Sequence, residues 1–167
     1  MRKLDGTWLI VLLLTALAGL GLHRLFDLWP SVMTEFFAPV NESLWEHVKL
    51  LYWPYLAAGV YMTGRGRWSR SSWLAALLGG CCLLVVLGWQ VHLHIGVPAA
   101  HVALYVALVV LLFLLPELWQ APESWTGVLS AGAIVLCGMI VCWTIMPPNH
   151  PLFHDLSLAD TFFPVPV

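Results

Sequence analysis

The run Pro98-Ala99-Ala100-His101-Val102-Ala103-Leu104-Tyr105-Val106-Ala107-Leu108-Val109-Val110-Leu111-Leu112-Phe113-Leu114-Leu115 contains no Asp, Glu, Lys or Arg before Pro116. A stretch this long and apolar reads as a membrane-crossing helix, because about 20 such residues cover a hydrocarbon core ~30 Å thick. Pro98 suits the first helical turn, where its missing N–H would have had no partner in any case. Pro116 is expected to stop the helix by withholding a donor.

Working outward, four more stretches read the same way: 7–26, 48–63, 73–91 and 127–146. Pro147 and Pro148 close the last of them, and Pro54 lies inside the stretch 48–63, which is the shortest. A kink is expected there, with the freed carbonyl near Leu50 satisfied by a neighbouring group. The prediction is an all-α polytopic membrane protein with five spans in one domain, 1–167. Arg2 and Lys3 precede an apolar run that continues to Leu22, longer than a usual signal core, which favours a retained anchor.

Composition agrees. Of 167 residues, 60% are hydrophobic and 10% charged, and the mean hydropathy is +0.86. Soluble domains carry about 25% charged residues. Ten tryptophans suit rings that anchor helices at membrane interfaces. Seven Lys and Arg and a net charge of −2 exclude a nucleic-acid surface, which needs several phosphate contacts. The bilayer is therefore the expected partner. Cys81, Cys82, Cys137 and Cys142 lie in apolar runs without metal-knot spacing and read as buried thiols. Arg2, Lys3, Arg65, Arg67 and Arg70 fall on one side of the predicted spans, and Arg24 and Lys49 on the other. The positive-inside rule then places the N-terminus in the cytoplasm and the C-terminus outside.

That topology sends all seven histidines (His23, His47, His92, His94, His101, His150 and His154) to the outer ends of spans or to outer segments. Asp27, Glu35, Glu42, Glu46, Asp155 and Asp160 go with them. Ionisable groups at a membrane are costly to place, so such a cluster is a candidate site. The block Asn41-Glu42-Ser43-Leu44-Trp45-Glu46-His47 is the most informative part. Ser43 with Glu46 three residues on is a capping box, and Lys49 offers Glu46 an ion pair at i+3. On a common helix, Glu42 and Glu46 would repel unless a cation or a proton lay between them. A ligand or catalytic role for Glu42, Glu46 and His47 therefore stands beside the capping explanation. Asp27, four residues after His23, can hold that imidazole in one tautomer, or can be an ordinary interfacial pair. Three prolines stiffen 147–151, so this stretch either carries His150 and Asp155 back over the helix ends or is a solvated tail with incidental histidines. His92, His94 and His101 read as a plain loop. No HExxH, Gly-x-Ser-x-Gly, Walker or GxGxxG motif occurs.

The block at 41–47, together with Pro147-Pro148-Asn149-His150-Pro151-Leu152-Phe153 and with Leu22-His23 followed by Asp27, resembles a domain-of-unknown-function family. Its members are small bacterial integral membrane proteins. They share an N-E-S-x-W-E-H block, an L-H-x3-acid pattern (more often ending in Glu) and a PP-x-HPLF segment. The resemblance covers essentially the whole chain and implies a multi-pass protein of the bacterial cytoplasmic membrane. It brings no activity, and supports only the choice of site residues.

The leading expectation is a metal site at the outer face, with His23, His47, His150 and Asp155 as ligands and Glu42 and Glu46 as catalytic carboxylates. Asp27, Asn41 and Trp45 would support it. Imidazole with carboxylate suits zinc, manganese or iron(II). The corresponding activity is metal-dependent hydrolysis of a lipid-like or amphiphilic substrate. The alternatives are a non-enzymatic metal- or pH-sensing module and a haem or quinone anchor.

Overall fold

A computed structural model describes residues 5–66 and 68–156. Asp160, Arg2, Lys3 and Arg67, which entered the reading above, lie outside them. The described residues form six α-helices: α1 (Gly6–Leu28), α2 (Val32–Phe37), α3 (Leu44–Gly64), α4 (Arg70–His94), α5 (Pro98–Leu118) and α6 (Thr126–Ile145). Two 3₁₀ turns, Glu123–Trp125 and Pro151–Phe153, complete the order. Three of the long helices start on a side-chain cap, and α5 starts on Pro98. The Asp5 carboxylate accepts from the Trp8 amide at 3.0 Å, the Ser43 hydroxyl from that of Glu46 at 3.3 Å, and Ser69 from that of Ser72 at 3.5 Å. These caps satisfy donors that a helix start leaves open.

α1, α4, α5 and the segment Glu123–Ile145 are long and apolar enough to cross a membrane. α3 is not among them, which departs from the five expected by composition. The reason is its position. α3 packs against all four other long helices and buries Tyr52, Tyr55, Lys49 and Glu46 among them. These polar and aromatic groups face protein, while Val60 and Tyr61 further along α3 are exposed. α1 instead exposes Leu9, Ile10, Leu13, Leu14 and Leu17, and α6 exposes Val128, Ile134 and Val135. The four cysteines are free thiols, as read, but only Cys81 is buried; Cys82 and Cys142 are exposed.

Two prolines break the ladder inside helices and are repaired reciprocally. Pro54 in α3 has no N–H for the Leu50 carbonyl, and the Tyr105 hydroxyl of α5 lies 3.4 Å from that oxygen. Pro116 does not stop α5, which continues to Leu118. The carbonyl it leaves open, that of Leu112, accepts from the Tyr55 hydroxyl of α3 at 2.6 Å. Each helix thus turns a tyrosine hydroxyl to the carbonyl that the other's proline left open, Tyr105 sharing its proton with the Thr15 and Ala16 carbonyls of α1 at 3.3 Å. Gly19 admits this arrangement. A Cβ there would lie 1.9 Å from the Tyr105 hydroxyl and 2.6 Å from the Leu50 carbonyl. Tyr55→Phe should cost about 1–3 kcal/mol by orphaning the Leu112 carbonyl. In a Pro116→Ala background the backbone N–H returns, and the same change should cost clearly less. A cycle of unfolding measurements on the four proteins checks the coupling.

The short connections make successive long helices alternate in direction. His23, His47, His92, His94, His101 and His150 therefore gather at one end of the bundle, and Arg65 and Arg70 lie at the other.

Candidate metal centre

The segment between α1 and α3 is pinned from below. Lys49, fully buried on the first turns of α3, donates to the carbonyls of Glu35 at 2.6 Å and Ala38 at 3.2 Å, and to Glu46 Oε2 at 2.6 Å. An ammonium has three protons, so its capacity is filled. The Trp53 indole N–H donates to the Phe36 carbonyl at 2.9 Å, so two side chains of α3 close the open end of α2. Glu46 Oε2 also accepts from the Val40 amide at 2.9 Å, and its Oε1 from the Thr144 hydroxyl of α6 at 3.1 Å. The capping box expected from sequence is thus half made. Ser43 caps the Glu46 amide, but the Glu46 carboxylate reaches Val40 rather than Ser43, whose own amide donates to Asn41 Oδ1 at 3.0 Å.

This scaffold fixes Glu42 in the turn just before α3, off the helix, so the like-charge repulsion argued for Glu42 and Glu46 does not arise. Glu42 Oε2 stands 3.5 Å from His23 Nε2 of α1 and 3.5 Å from His47 Nε2 of α3. The two imidazole centroids are 5.3 Å apart with their planes at 62°. His47 Nδ1 is 2.7 Å from the Ser43 carbonyl, which can only accept, so the Nδ1 proton is donated there. In the neutral ring this turns the Nε2 lone pair toward Glu42. Three potential ligand atoms, one from each residue, lie within 4.8 Å of one another. With no cation between them, the neutral His47 would turn a lone pair to the Glu42 oxygen, whereas His23 can present an Nε2 proton to it. Either protons or a metal must resolve this. The hydrogen bond from His23, and after it that from His47, holds the Glu42 carboxyl well below its usual 4.5. The sign is that of a depressed acid. The stabilisation is complete above about pH 4.5 and is lost as pH falls toward the folded value.

The other residues singled out from sequence lie elsewhere. Glu46, expected to be catalytic, is buried and accepts from Lys49 and Val40 through Oε2, with the Thr144 hydroxyl (shared with the Ile140 carbonyl) 3.1 Å from Oε1, so it works as an architectural anion. Asp27 pairs with Arg24 at 3.7 Å on the surface, so it is Glu42 rather than Asp27 that faces His23. Asn41 shapes the turn that presents Glu42. Trp45 is buried against Trp143 at 4.7 Å and Phe153 at 5.4 Å, and joins the stiff segment after α6 to α3. His150 and Asp155 were expected as ligands but do not belong to the three-residue group. The His150 Nδ1 caps the 3₁₀ turn by accepting from the Leu152 amide at 3.3 Å, and Asp155 is half-buried beyond that turn. The Ser43 carbonyl is the partner that sequence reasoning missed; its spacing of four from His47 was the available signal. His94 pairs with Gln90 at 3.1 Å, as a surface histidine does.

Comparison of the chain with family models, with curated proteins and with solved structures gave no match.

Proposed function

We propose that this chain is a five-span protein of the bacterial cytoplasmic membrane that holds one divalent cation at its outer face through His23, Glu42 and His47. In this reading α3 crosses with the four apolar helices, its polar turn lying at the outer interface, and the N-terminus is cytoplasmic. The observation that carries the metal is geometric. Two imidazole nitrogens lie 3.5 Å from one carboxylate oxygen, with one ring oriented through its other nitrogen by a backbone carbonyl. Tetrahedral zinc with ligands at ~2.0–2.1 Å spaces neighbouring ligand atoms about 3.3–3.4 Å apart. A carbonyl on the distal nitrogen is the usual support of a metal-bound histidine. Zinc, manganese and iron(II) all suit this donor set.

Two histidines and one glutamate are the ligands of hydrolytic zinc sites, which keep a further position for water or substrate. Such a cation activates water and polarises a carbonyl or phosphoryl oxygen. Placed at a membrane interface, it suits hydrolysis of an ester or phosphoester amphiphile. Meeting of the motif residues supports the family reading: His23 faces Glu42 and His47, and Trp45 touches Phe153. A haem anchor is disfavoured because Glu42 occupies the gap between the two histidines that a macrocycle would need. A non-catalytic metal module is the second reading. It is favoured by the burial of Glu46 against Lys49, which takes the expected base away from the three-residue group.

Elemental analysis of purified protein should find close to one metal per chain, reduced to background in both His23→Ala and His47→Ala. Metal-loaded protein should cleave a chromogenic amphiphilic ester or phosphoester and lose this on chelation. A metal-free protein that also takes up none on titration would sink the site. Stoichiometric metal without hydrolysis would select the second reading.

A further inference from the structure

At the opposite end of the bundle, a groove of about 350 Å³ runs between the C-terminal half of α3 and the first turns of α4. That volume falls within the ~300–1,000 Å³ usual for ligand sites. Tyr55, Gly59, Trp73 and Leu77 make its walls, and Thr63 and Arg70 border its mouth. Gly59 opens it, since a Cβ there would touch only the Trp73 ring, at 3.5 Å. The Thr63 hydroxyl is spent on the Gly59 carbonyl at 2.8 Å. Among the described residues, the Arg70 guanidinium has no hydrogen bond or ion pair, and it is exposed. The carboxylates at that end are committed elsewhere: Glu117 accepts from the Trp68 indole, Glu123 from the Thr126 hydroxyl, and Asp5 caps α1. Arg65 is not part of the groove and is engaged by Tyr61, its guanidinium 5.6 Å above that ring and donating to its hydroxyl at 3.1 Å.

We propose that this groove binds an anionic phospholipid, with an acyl chain laid along Gly59 and Trp73 and the phosphate held by Arg70. The charge pattern selects this occupant. An apolar slot within a lipid-facing bundle admits any acyl chain, but an arginine without a counter-ion at its mouth distinguishes anionic from zwitterionic headgroups. Basic pockets between spanning helices hold anionic headgroups in this manner. The proposal rests on the membrane placement above and is independent of the metal site.

The test is native mass spectrometry of the full chain in detergent, with equimolar phosphatidylglycerol and phosphatidylcholine of identical acyl chains. One basic residue near an anionic headgroup contributes a factor of about five. Phosphatidylglycerol should therefore be retained about fivefold over phosphatidylcholine. Arg70→Gln, a change at an exposed position, should bring the two to parity, and Arg70→Lys should keep the preference. Gly59→Leu, which fills the slot, should lower retention of both lipids. Equal retention by the parent, or a preference that survives Arg70→Gln, would overturn the proposal. So would displacement of the lipid by inorganic phosphate, which would assign Arg70 to a free anion. Metal content measured on the same samples should stay at the parent value, which keeps a failure here distinct from failure of the metal site.

Discussion

Glu42→Gln protein should fold as the parent does and lose its metal. The substitution keeps the shape of the side chain and removes its charge, and its contacts are with His23 and His47 on the half-exposed turn before α3. In metal-free protein at neutral pH it should lower stability modestly, since it removes the charge that His23 and His47 stabilise, and this difference should vanish as the pH falls. Metal affinity should fall by more than the ~10–100-fold that loss of a supporting partner costs, because here a ligand itself is removed. Isothermal titration with zinc on parent and variant, beside thermal unfolding of both in chelator, checks the two halves separately. Retained affinity would return Glu42 to an ordinary surface partner of two histidines. Acidification should also release the metal. Metal ligands bind in their deprotonated forms, so protons compete with the cation for them.

Lys49→Met should be the most damaging of the changes considered. The Glu46 side chain is 4% exposed and that of Lys49 0%, so the variant buries an anion without its counter-ion and strips donors from the Glu35 and Ala38 carbonyls. Breaking a buried pair from one side costs about 3–5 kcal/mol. For a chain of this length that is a fall in Tm of roughly 10 °C or more. Metal binding should weaken with it, because Lys49 and Glu46 fasten the turn that presents Glu42. Lys49→Met with Glu46→Leu should cost less than the sum of the single changes, since no charge is then left alone. Thermal unfolding of the four proteins supplies the cycle. A Lys49→Met protein as stable as the parent would show that the pair is not structural, and would return Glu46 to the candidates for a general base.

The two predictions separate residues that stand close together in the sequence. The block 41–47 was legible as a site because it crowds carboxylates and an imidazole beside a predicted membrane helix, where such groups are costly. Which carboxylate serves the site was not legible. Glu46 and His47 are adjacent, so they point about 100° apart on a helix. One therefore meets Thr144 of α6 and the other meets His23 of α1. Sequence spacing carries that angle but does not say which neighbour lies in either direction. Asp27 illustrates the same limit: its spacing from His23 is right for a shared face, yet Arg24 takes it and a residue from the next element faces the imidazole instead.

By itself, the sequence determined the class of fold and the approximate course of the five long helices, and with them the end of the bundle to which the histidines go, but it did not anticipate α2. Length, apolarity, capping residues and prolines act locally and need no knowledge of neighbours. It also required that the carbonyl freed by Pro54 find a donor, because a backbone acceptor in apolar surroundings cannot go unpaired. Only the tertiary structure decided that Tyr105 lies beside that carbonyl and that Tyr55 returns the favour at Leu112. It likewise decided that α3, the least apolar of the long helices, lies at the centre, and that His23, Glu42 and His47 converge while Glu46 turns to Lys49. These outcomes depend on which helix faces come together. Packing and the pairing of buried polar groups settle that jointly across the whole bundle, and no single stretch of the chain contains it.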